Sequence, residues 1–520
     1  MIPPNANRKL PSKFDRHLYA TRHLIENFFA KARLPIATCY DKNCAYFSRG
    51  RSHDRECRLA QLTTPNLTAE VTDSCMASSA VMRIGFDRRG HMDIQPTALQ
   101  GHDVTRSNGN CRLCGAPLNR TFVNLGMSPL CESFLEARQL DDMEPYFPLH
   151  VLICDTCLLV QLKQYVSSET IFHEYAYFSS YSTSWVAHAA AYVQMITRRL
   201  QLGPQSYVVE LASNDGYLLQ HFAPLSVPVL GIEPAANVAK VALDKGIRTQ
   251  VEFFTLDLAK TLVATGRRAD LVIGNNVLAQ APDLNDFVAG MQHLLAPKGM
   301  ITLEFPHLAR LMAENQFDTI YHEHFSYFSL ITTARLASRH GLVLVDVDEL
   351  PTHGGSLRVY VAHAQSGYRP TPRVGALLAE EERLGLHDID GYARFSDQVK
   401  ETKRRLLAVL IDVKNAGKTI CGYGAPGKGN TLLNYCGIGP DFLDFTVDRN
   451  PYKHGRFTPG MHIPILEVGA IDRAKPDYIL ILPWNLKPEI MFQMNHVGSW
   501  GCRFIVPIPR VMVLDPEGLV

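Results

Sequence analysis

Ten residues, Val208–Tyr217 (VVELASNDGY), set the terms on which the rest of this chain can fold. Tyr207, Val208 and Val209 favour a strand, which runs into an acidic residue, Glu210. A turn of small and polar residues follows, Ala212, Ser213, Asn214, Asp215 and Gly216, and a helical pattern begins at Tyr217-Leu218-Leu219. Strand, tight turn and helix in that order predict the first βα unit of an α/β domain. Such a turn offers backbone N–H groups and a helix N-terminus to a ligand. It lacks G-x-G-x-x-G, so it does not advertise a pyrophosphate cradle. An acidic strand end with one close-approach glycine suits a ligand that carries a positive charge and a ribose.

The segments that follow repeat the alternation. VPVLGIEP (227–234) reads as a second strand ending in Glu233 and Pro234, and an acid there accepts hydrogen bonds from ribose hydroxyls. A helix over AANVAKVALDKG, a strand over Ala269–Val277 with Asn275 and Asn276 at its carboxyl end, and a strand over Gly299–Phe305 come next. This pattern predicts a doubly wound sheet with its ligand at the carboxyl ends of the strands. Glu210, Ala212, Asn214, Asp215, Gly216, Glu233, Pro234, Asn275 and Asn276 all fall at or beside that edge. S-adenosylmethionine (SAM), with its sulfonium and ribose, is the ligand they suit.

Length and charge bound the rest. At ~150 residues per domain, 520 residues predict three or so domains. Net charge is +1, which excludes a global electrostatic case for nucleic acid or membrane. Residues 1–60 are locally basic, with 12 Lys+Arg against 5 Asp+Glu, and the remainder carries a net −6. There is no run of 18 apolar residues and no apolar leader in MIPPNANRKLPSK, so a cytoplasmic protein is expected.

Two of the 12 cysteines form Cys111-x-x-Cys114 and two form Cys154-x-x-Cys157. Without an export signal these read as metal ligands or a redox dithiol rather than disulfides. Two such knuckles suit one tetrahedral zinc ion, and four thiolates leave no open position, so the metal would be structural. The 39 residues between Cys114 and Cys154 must then form a small subdomain.

Acid/base groups are densest at Tyr321-His322-Glu323-His324-Phe325-Ser326-Tyr327-Phe328. HEH is not H-E-x-x-H, which weakens a zinc-protease reading. A histidine beside tyrosine and glutamate can take a proton and have the resulting oxyanion stabilised. His353-Gly354-Gly355-Ser356 follows, with glycines that suggest close backbone approach before the strand VYVAH. Further on, Gly422, Gly424 and Gly427 spell G-x-G-x-x-G, and an NAD-dependent oxidoreductase is the competing enzyme reading. The acid that should follow about 20 residues on is Asp448, which lies 26 residues from Gly422 and is crowded by Arg449, Asn450 and Lys453.

Two resemblances add to these readings. Residues 8–46, with DRHLYATRHLIENFFAK, resemble the C-terminal end of an insertion-sequence transposase, Glu26 matching a glutamate of its Asp-Asp-Glu triad. No partner aspartates accompany it, and residues 1–108 are expected to be a poorly ordered appendage. A zinc-containing nucleic-acid-binding protein is the non-enzymatic alternative that this segment prompts, and the negative remainder opposes it. The second resemblance covers roughly 109–510. PLCESFL, YFSSYS, VVELASNDGYLL, GIEPAANVA, NNVLAQAPDLNDFV, YHEHFSYFS, HGGSLRVYV, GYGAPGKGNTLLNY, VDRNPYKHGRFTPG and PWN, with both C-x-x-C pairs, resemble the sugar C-methyltransferases that act on nucleotide-linked deoxysugars.

That resemblance implies an α/β protein. It would have a class I SAM methyltransferase Rossmann-like sheet, a small N-terminal four-cysteine zinc module and a C-terminal Rossmann-like domain. The expected spans are 109–164 for zinc, 165–370 for SAM and 371–520 for the C-terminal domain, which would help hold a nucleotide-sugar. It implies His324 as general base, Glu323 and Tyr321 as its neighbours and Tyr175 near the sugar. Gln280 stands where the family usually has a histidine facing the sugar, and glutamine cannot take a proton near neutral pH. Lys428, Asn430 and Asp448 are the expected substrate contacts. No nucleic acid, no membrane and a monomer or weak oligomer complete the expectation.

Overall fold

The computed structural model describes residues 81–86, 92–97, 109–168, 171 and 178–516, the first two stretches and Thr265 by backbone alone. Its contacts divide the chain into two units, Met1–Thr97 and Ala98–Val520. In the first unit, β1 (Val81–Phe86) and β2 (Met92–Thr97) pair as an antiparallel hairpin, in a region where the sequence shows no clear period. The transposase-like segment and Glu26 lie outside the described residues.

The described residues of the second unit form three sheets. The first contains β3 (Arg120–Ser128), β4 (Phe147–Ile153) and β5 (Val160–Leu162), all antiparallel. The second contains β6 (Val208–Leu211), β7 (Val229–Ile232), β8 (Thr249–Gln250), β9 (Ala269–Asn275) and β10 (Leu295–Pro306). The short β11 (Ser326–Tyr327), from the HEH segment, returns to the first sheet and pairs with β5. The chain then adds β12 (Leu342–Leu350) and β13 (Ser356–His363) to the second sheet, whose order is β12-β13-β10-β9-β6-β7-β8. Strands β10, β9, β6, β7 and β8 are mutually parallel, and β13 is antiparallel to both its neighbours. Strand order reverses between β6 and β9, the switch point where doubly wound sheets take their ligands.

Local chemistry accounts for these elements. β6 is buried at all four residues, the near-continuous apolar run of a strand covered on both faces, Glu210 being its one polar member. The helix Thr183–Leu200 starts where the Ser182 side chain accepts from the Trp185 N–H at 3.3 Å. It buries Trp185, Ala189, Tyr192, Val193 and Ile196 against the sheet. The regular helix expected from Tyr217 does not form. Two 3-10 turns, Leu219–His221 and Ala223–Leu225, replace it. Pro224 has no N–H to give and its ring opposes a continued helix.

The third sheet, β14 (Ile420–Tyr423), β15 (Thr446–Val447), β16 (Ile465–Leu466), β17 (Tyr478–Ile481), β18 (Arg503–Val506) and β19 (Met512–Leu514), has the order β16-β15-β14-β17-β18-β19 and is parallel except at its last pair. The cores cross these sheets. Phe122, Leu149 and Val160 of the first sheet share a cluster with Phe395, Leu406 and Leu432 of the C-terminal half. Cys111, Leu113, Cys154 and Cys157 share another with Leu284, Phe287, Phe328 and Leu330.

Candidate active site

A cleft opens at the carboxyl ends of β6, β7 and β9. Its walls include Ala212, Asn214, Glu233, Pro234, Asn275, Asn276 and Gln280 from the expected residues, with Trp185, Tyr217, Phe253, Phe254 and Phe287 beside them. The turn after β6 places Ala212 (φ 53°), Asn214 (φ 50°) and Gly216 (φ 76°) in the left-handed region. Alternation of this kind turns successive N–H groups inward. The Asn214 N–H donates to Glu233 Oε2 and the Ala235 N–H to Glu233 Oε1, both at 2.9 Å, so the carboxylate is fixed before any ligand arrives. Burial, against those two amides, raises the Glu233 carboxyl above its ordinary range.

Three expected donor-site residues do not line this cleft. Glu210 is buried inside β6. Burial, then the Glu233 and Asp215 carboxylates, push it well up. Asp215 accepts from the Ser180 N–H at 3.1 Å and tethers the 178–181 segment to the turn. Gly216 is where the turn meets the next helix and the residue beyond it, since a Cβ there would lie 3.2 Å from Ala242 Cβ and 2.4 Å from Ile247 Cδ1.

The HEH segment stands beside this cleft. The Phe325 N–H donates to Ala279 O at 2.7 Å, joining the segment to the 3-10 turn Leu278–Gln280. His324 is 8% exposed and its Nδ1 lies 3.1 Å from Thr319 O. A carbonyl only accepts, so Nδ1 carries the proton and Nε2 keeps its lone pair. The Tyr321 ring packs on the imidazole at 4.2 Å. Burial lowers the His324 pKa to about 4, the Thr319 carbonyl opposing and His353 and Lys428 adding to the shift. Glu323 is buried and accepts from the Cys131 thiol at 3.8 Å. Tyr175 lies outside the described residues.

The C-terminal half closes on the same place. Lys428 Nζ donates to Asn485 Oδ1 at 2.9 Å and sits 4.9 Å from the Trp484 ring centre. The Trp484 indole donates to Asp318 Oδ2 at 2.7 Å, and burial raises that carboxyl to about 6. Asn430 Nδ2 donates to Cys131 O at 2.6 Å, while its buried Oδ1 has no hydrogen-bond partner among the described residues. Asp448 is committed to the chain itself. Its oxygens accept from the Ala425 N–H (2.7 Å) and the Asn450 N–H (2.8 Å).

The four cysteines converge. Their sulfurs all lie within 4.8 Å of one another, with Cys111–Cys157 at 3.4 Å and Cys114–Cys154 at 3.5 Å. Zn–S bonds of about 2.3 Å in a tetrahedron put sulfurs just under 4 Å apart, so the set fits one zinc ion. The knuckles share a design. The Gly115 N–H bonds Cys111 O and the Leu158 N–H bonds Cys154 O, and both Gly115 (φ 80°) and Leu158 (φ 63°) are left-handed.

Family models match three successive lengths of the chain: a "Putative zinc binding domain" over residues 111–172, a methyltransferase domain over 185–347 and a C-methyltransferase C-terminal domain over 351–509. The C-methyltransferase NovU of Streptomyces niveus is 36% identical over 415 residues, covering 80% of this chain and 99% of that protein. The chain belongs to the C-methyltransferase family. It is a SAM-dependent C-methyltransferase with a class I methyltransferase fold. Solved structures similar to it include a SAM-dependent methyltransferase from Clostridium acetobutylicum ATCC 824 (11% identical, 34% of this chain and 90% of that one, TM-score 0.28) and the magnesium protoporphyrin IX methyltransferase of Synechocystis PCC 6803 (14%, 38% and 88%, TM-score 0.27). Those likenesses are too slight to carry weight, and the strand order given above carries the fold.

In this C-methyltransferase the glycine loop after β14 is filled by protein. A Cβ on Gly424 would meet Pro483 at 2.5 Å, and one on Gly427 would meet Cys131 Sγ and Glu132 Oε1 at 2.9 Å. Gly424 is the glycine whose backbone a dinucleotide's pyrophosphate would approach, and there the space is taken by Pro483, which argues against the NAD reading. Among the described residues no helix is long and apolar enough to cross a membrane. The aromatic walls of the cleft escaped the sequence reading. Trp185 on an amphipathic helix carries the signal of a core residue. Phe253 and Phe254, just past β8, held the one usable hint, two aromatics at a strand's carboxyl end.

Proposed function

We propose that this enzyme methylates a carbon next to the ketone of a nucleotide-linked keto-deoxysugar, with His324 as the base. The observation that carries the base assignment is the Thr319 carbonyl on Nδ1, which leaves Nε2 as the proton acceptor on a buried, neutral imidazole. Nε2 takes the α-proton, the C–H pair becomes the enolate, and Tyr321, Tyr175 and Gln280 steady the enolate oxygen or the sugar hydroxyls. SAM, when bound, would supply an electrophilic methyl group for that carbon. Glu233 would hold the ribose of SAM, Asn214, Asn275 and Asn276 its polar groups, and the phenyl walls its adenine. Glu323 holds the base's surroundings, and Lys428 and Asn430 meet the nucleotide's diphosphate. Asp448, already holding two amides, shapes the loop behind them. Cys111, Cys114, Cys154 and Cys157 hold a structural zinc ion. The spans 109–164, 165–370 and 371–520 divide this labour in a cytoplasmic enzyme that works as a monomer or weak oligomer.

The test is incubation with SAM and a panel of nucleotide keto-sugars, read as a one-methyl mass gain. His324→Asn is expected to abolish turnover, and the solvent-deuterium exchange of the substrate α-proton, while SAM affinity stays intact. Exchange at the wild-type rate in that variant sinks the base assignment.

A further inference from the structure

Between the two cysteines of the first knuckle stands Arg112, a residue with no role in holding metal. Its backbone N–H donates to Gln161 Oε1 at 3.0 Å, and Gln161 Nε2 in turn donates to Cys111 Sγ at 3.1 Å. Its side chain leaves the knuckle. Nη1 donates to Leu162 O at 2.7 Å and Phe325 O at 2.8 Å, and Nε donates to Pro282 O at 3.1 Å. The guanidinium carbon lies 5.3 Å from the Phe325 ring centre. Phe325 follows His324, and Pro282 lies two residues beyond Gln280. One planar group therefore holds the loop that carries the base and the loop that forms the wall of the donor cleft.

We infer that Arg112 is a positioning residue through which the cysteine module fixes the spacing between His324 and Gln280. The inference rests on the reading of those two residues as facing the reaction. The guanidinium suits the task because its donors are rigidly coplanar, so the three carbonyls it binds cannot shift independently. Lysine would offer a point charge on a flexible stem and could not hold the same three groups in one plane. The anchor behind it is also fixed, since Asn285 Nδ2 donates to Arg112 O at 2.7 Å and to Leu113 O at 3.2 Å. The cysteine module then does more than stabilise: it supplies the frame from which two active-site loops are hung. A base misplaced by a fraction of an ångström loses rate without losing donor affinity.

The experiment is hydrogen–deuterium exchange on full-length wild type and Arg112→Lys, with zinc content and steady-state kinetics on the same samples. In Arg112→Lys, peptides covering 278–283 and 319–327 should exchange faster, while those covering 111–115 and 154–158 exchange as in wild type and zinc content is unchanged. With it, kcat should fall about tenfold or more, by a larger factor than the Kd for SAM rises. Unchanged exchange in the two loops overturns the inference, and so does a loss of zinc, which would route the effect through the metal. If Arg112→Lys does not fold, Asn285→Ala, which frees the backbone of Arg112, must raise exchange in the same two loops. His324→Asn is measured alongside. Normal turnover there ends the base reading alone, and the exchange data still decide the role of Arg112.

Discussion

The fold gives the two nitrogens of His324, the proposed base, different fates: one is spent on a carbonyl and the other is left basic. Burial holds the pKa near 4, so the neutral form dominates throughout the neutral range. We expect kcat/KM to be flat from about pH 6 to 8 and to fall as acid titrates the imidazole, read from a pH–rate profile. Stability should follow the same side chains. His322, His324 and His353 are each lowered to about 4 by burial. The unfolded chain then binds more protons between about 6.5 and 4, so Tm is expected to fall as pH drops through that window. His353 stands behind the cleft in a left-handed conformation (φ 55°), 3.2 Å from Asn276 Nδ2 and with its ring 5.1 Å from that of Trp185. His353→Ala is expected to weaken SAM binding about tenfold by calorimetry, and His353→Gln, which keeps a hydrogen-bonding end near Nε2, to recover most of it. Glu233, Asn275 and His324 could be picked out as candidates because strand ends and dense acid/base runs stand out in one dimension. Trp185 was not, because a residue at the rim of a cleft and one in a core share the same helical period. Glu210 shows what such a signal leaves out. An acid at a strand end reads as a ligand contact, but only the direction of its side chain in the sheet decides whether it reaches the cleft.

At the scale of elements, the turn after β6 was read correctly as a turn and wrongly as the start of a regular helix. Hydrophobic spacing at Tyr217-Leu218-Leu219 is compatible with either outcome, and Pro224 decides between them. Gly216 is the point where the turn meets the helix Ala236–Asp244, through Ala242, and the residue Ile247 beyond it. Gly216→Ala combines a left-handed φ with a Cβ in contact with packed side chains, and is expected to cost about 1–3 kcal/mol, measured by denaturant unfolding. The loop after β14 teaches a related point. Its three glycines match a dinucleotide pattern letter for letter, yet the space beside Gly422 belongs to Thr446, beside Gly424 to Pro483, and beside Gly427 to the Cys131-Glu132 segment. A motif states what backbone can be approached closely, and the tertiary structure states by what.

At the scale of the molecule, the three lengths of chain visible in the sequence are not three separate packing units. The first sheet takes a strand from the HEH segment, and its apolar face shares a core with the C-terminal half, where Phe122 stacks on Phe395 at 4.7 Å. No one-dimensional signal reports a core shared by residues so far apart in the chain. A fragment ending at residue 370 should therefore expose Phe122, Leu149 and Val160 and aggregate, or bind a hydrophobic dye, where the full chain does not. The shared strand β11 also bears on how such an enzyme can change its substrate. Exchanging one length between two relatives would bring a foreign edge against β5 and a foreign surface against the core of the C-terminal half. Chimeras assembled from whole segments would pay for new specificity in lost folding, whereas point substitutions at positions such as Gln280 would leave that shared framework standing. Diversification in this architecture should thus proceed by replacing single side chains around a frame inherited whole.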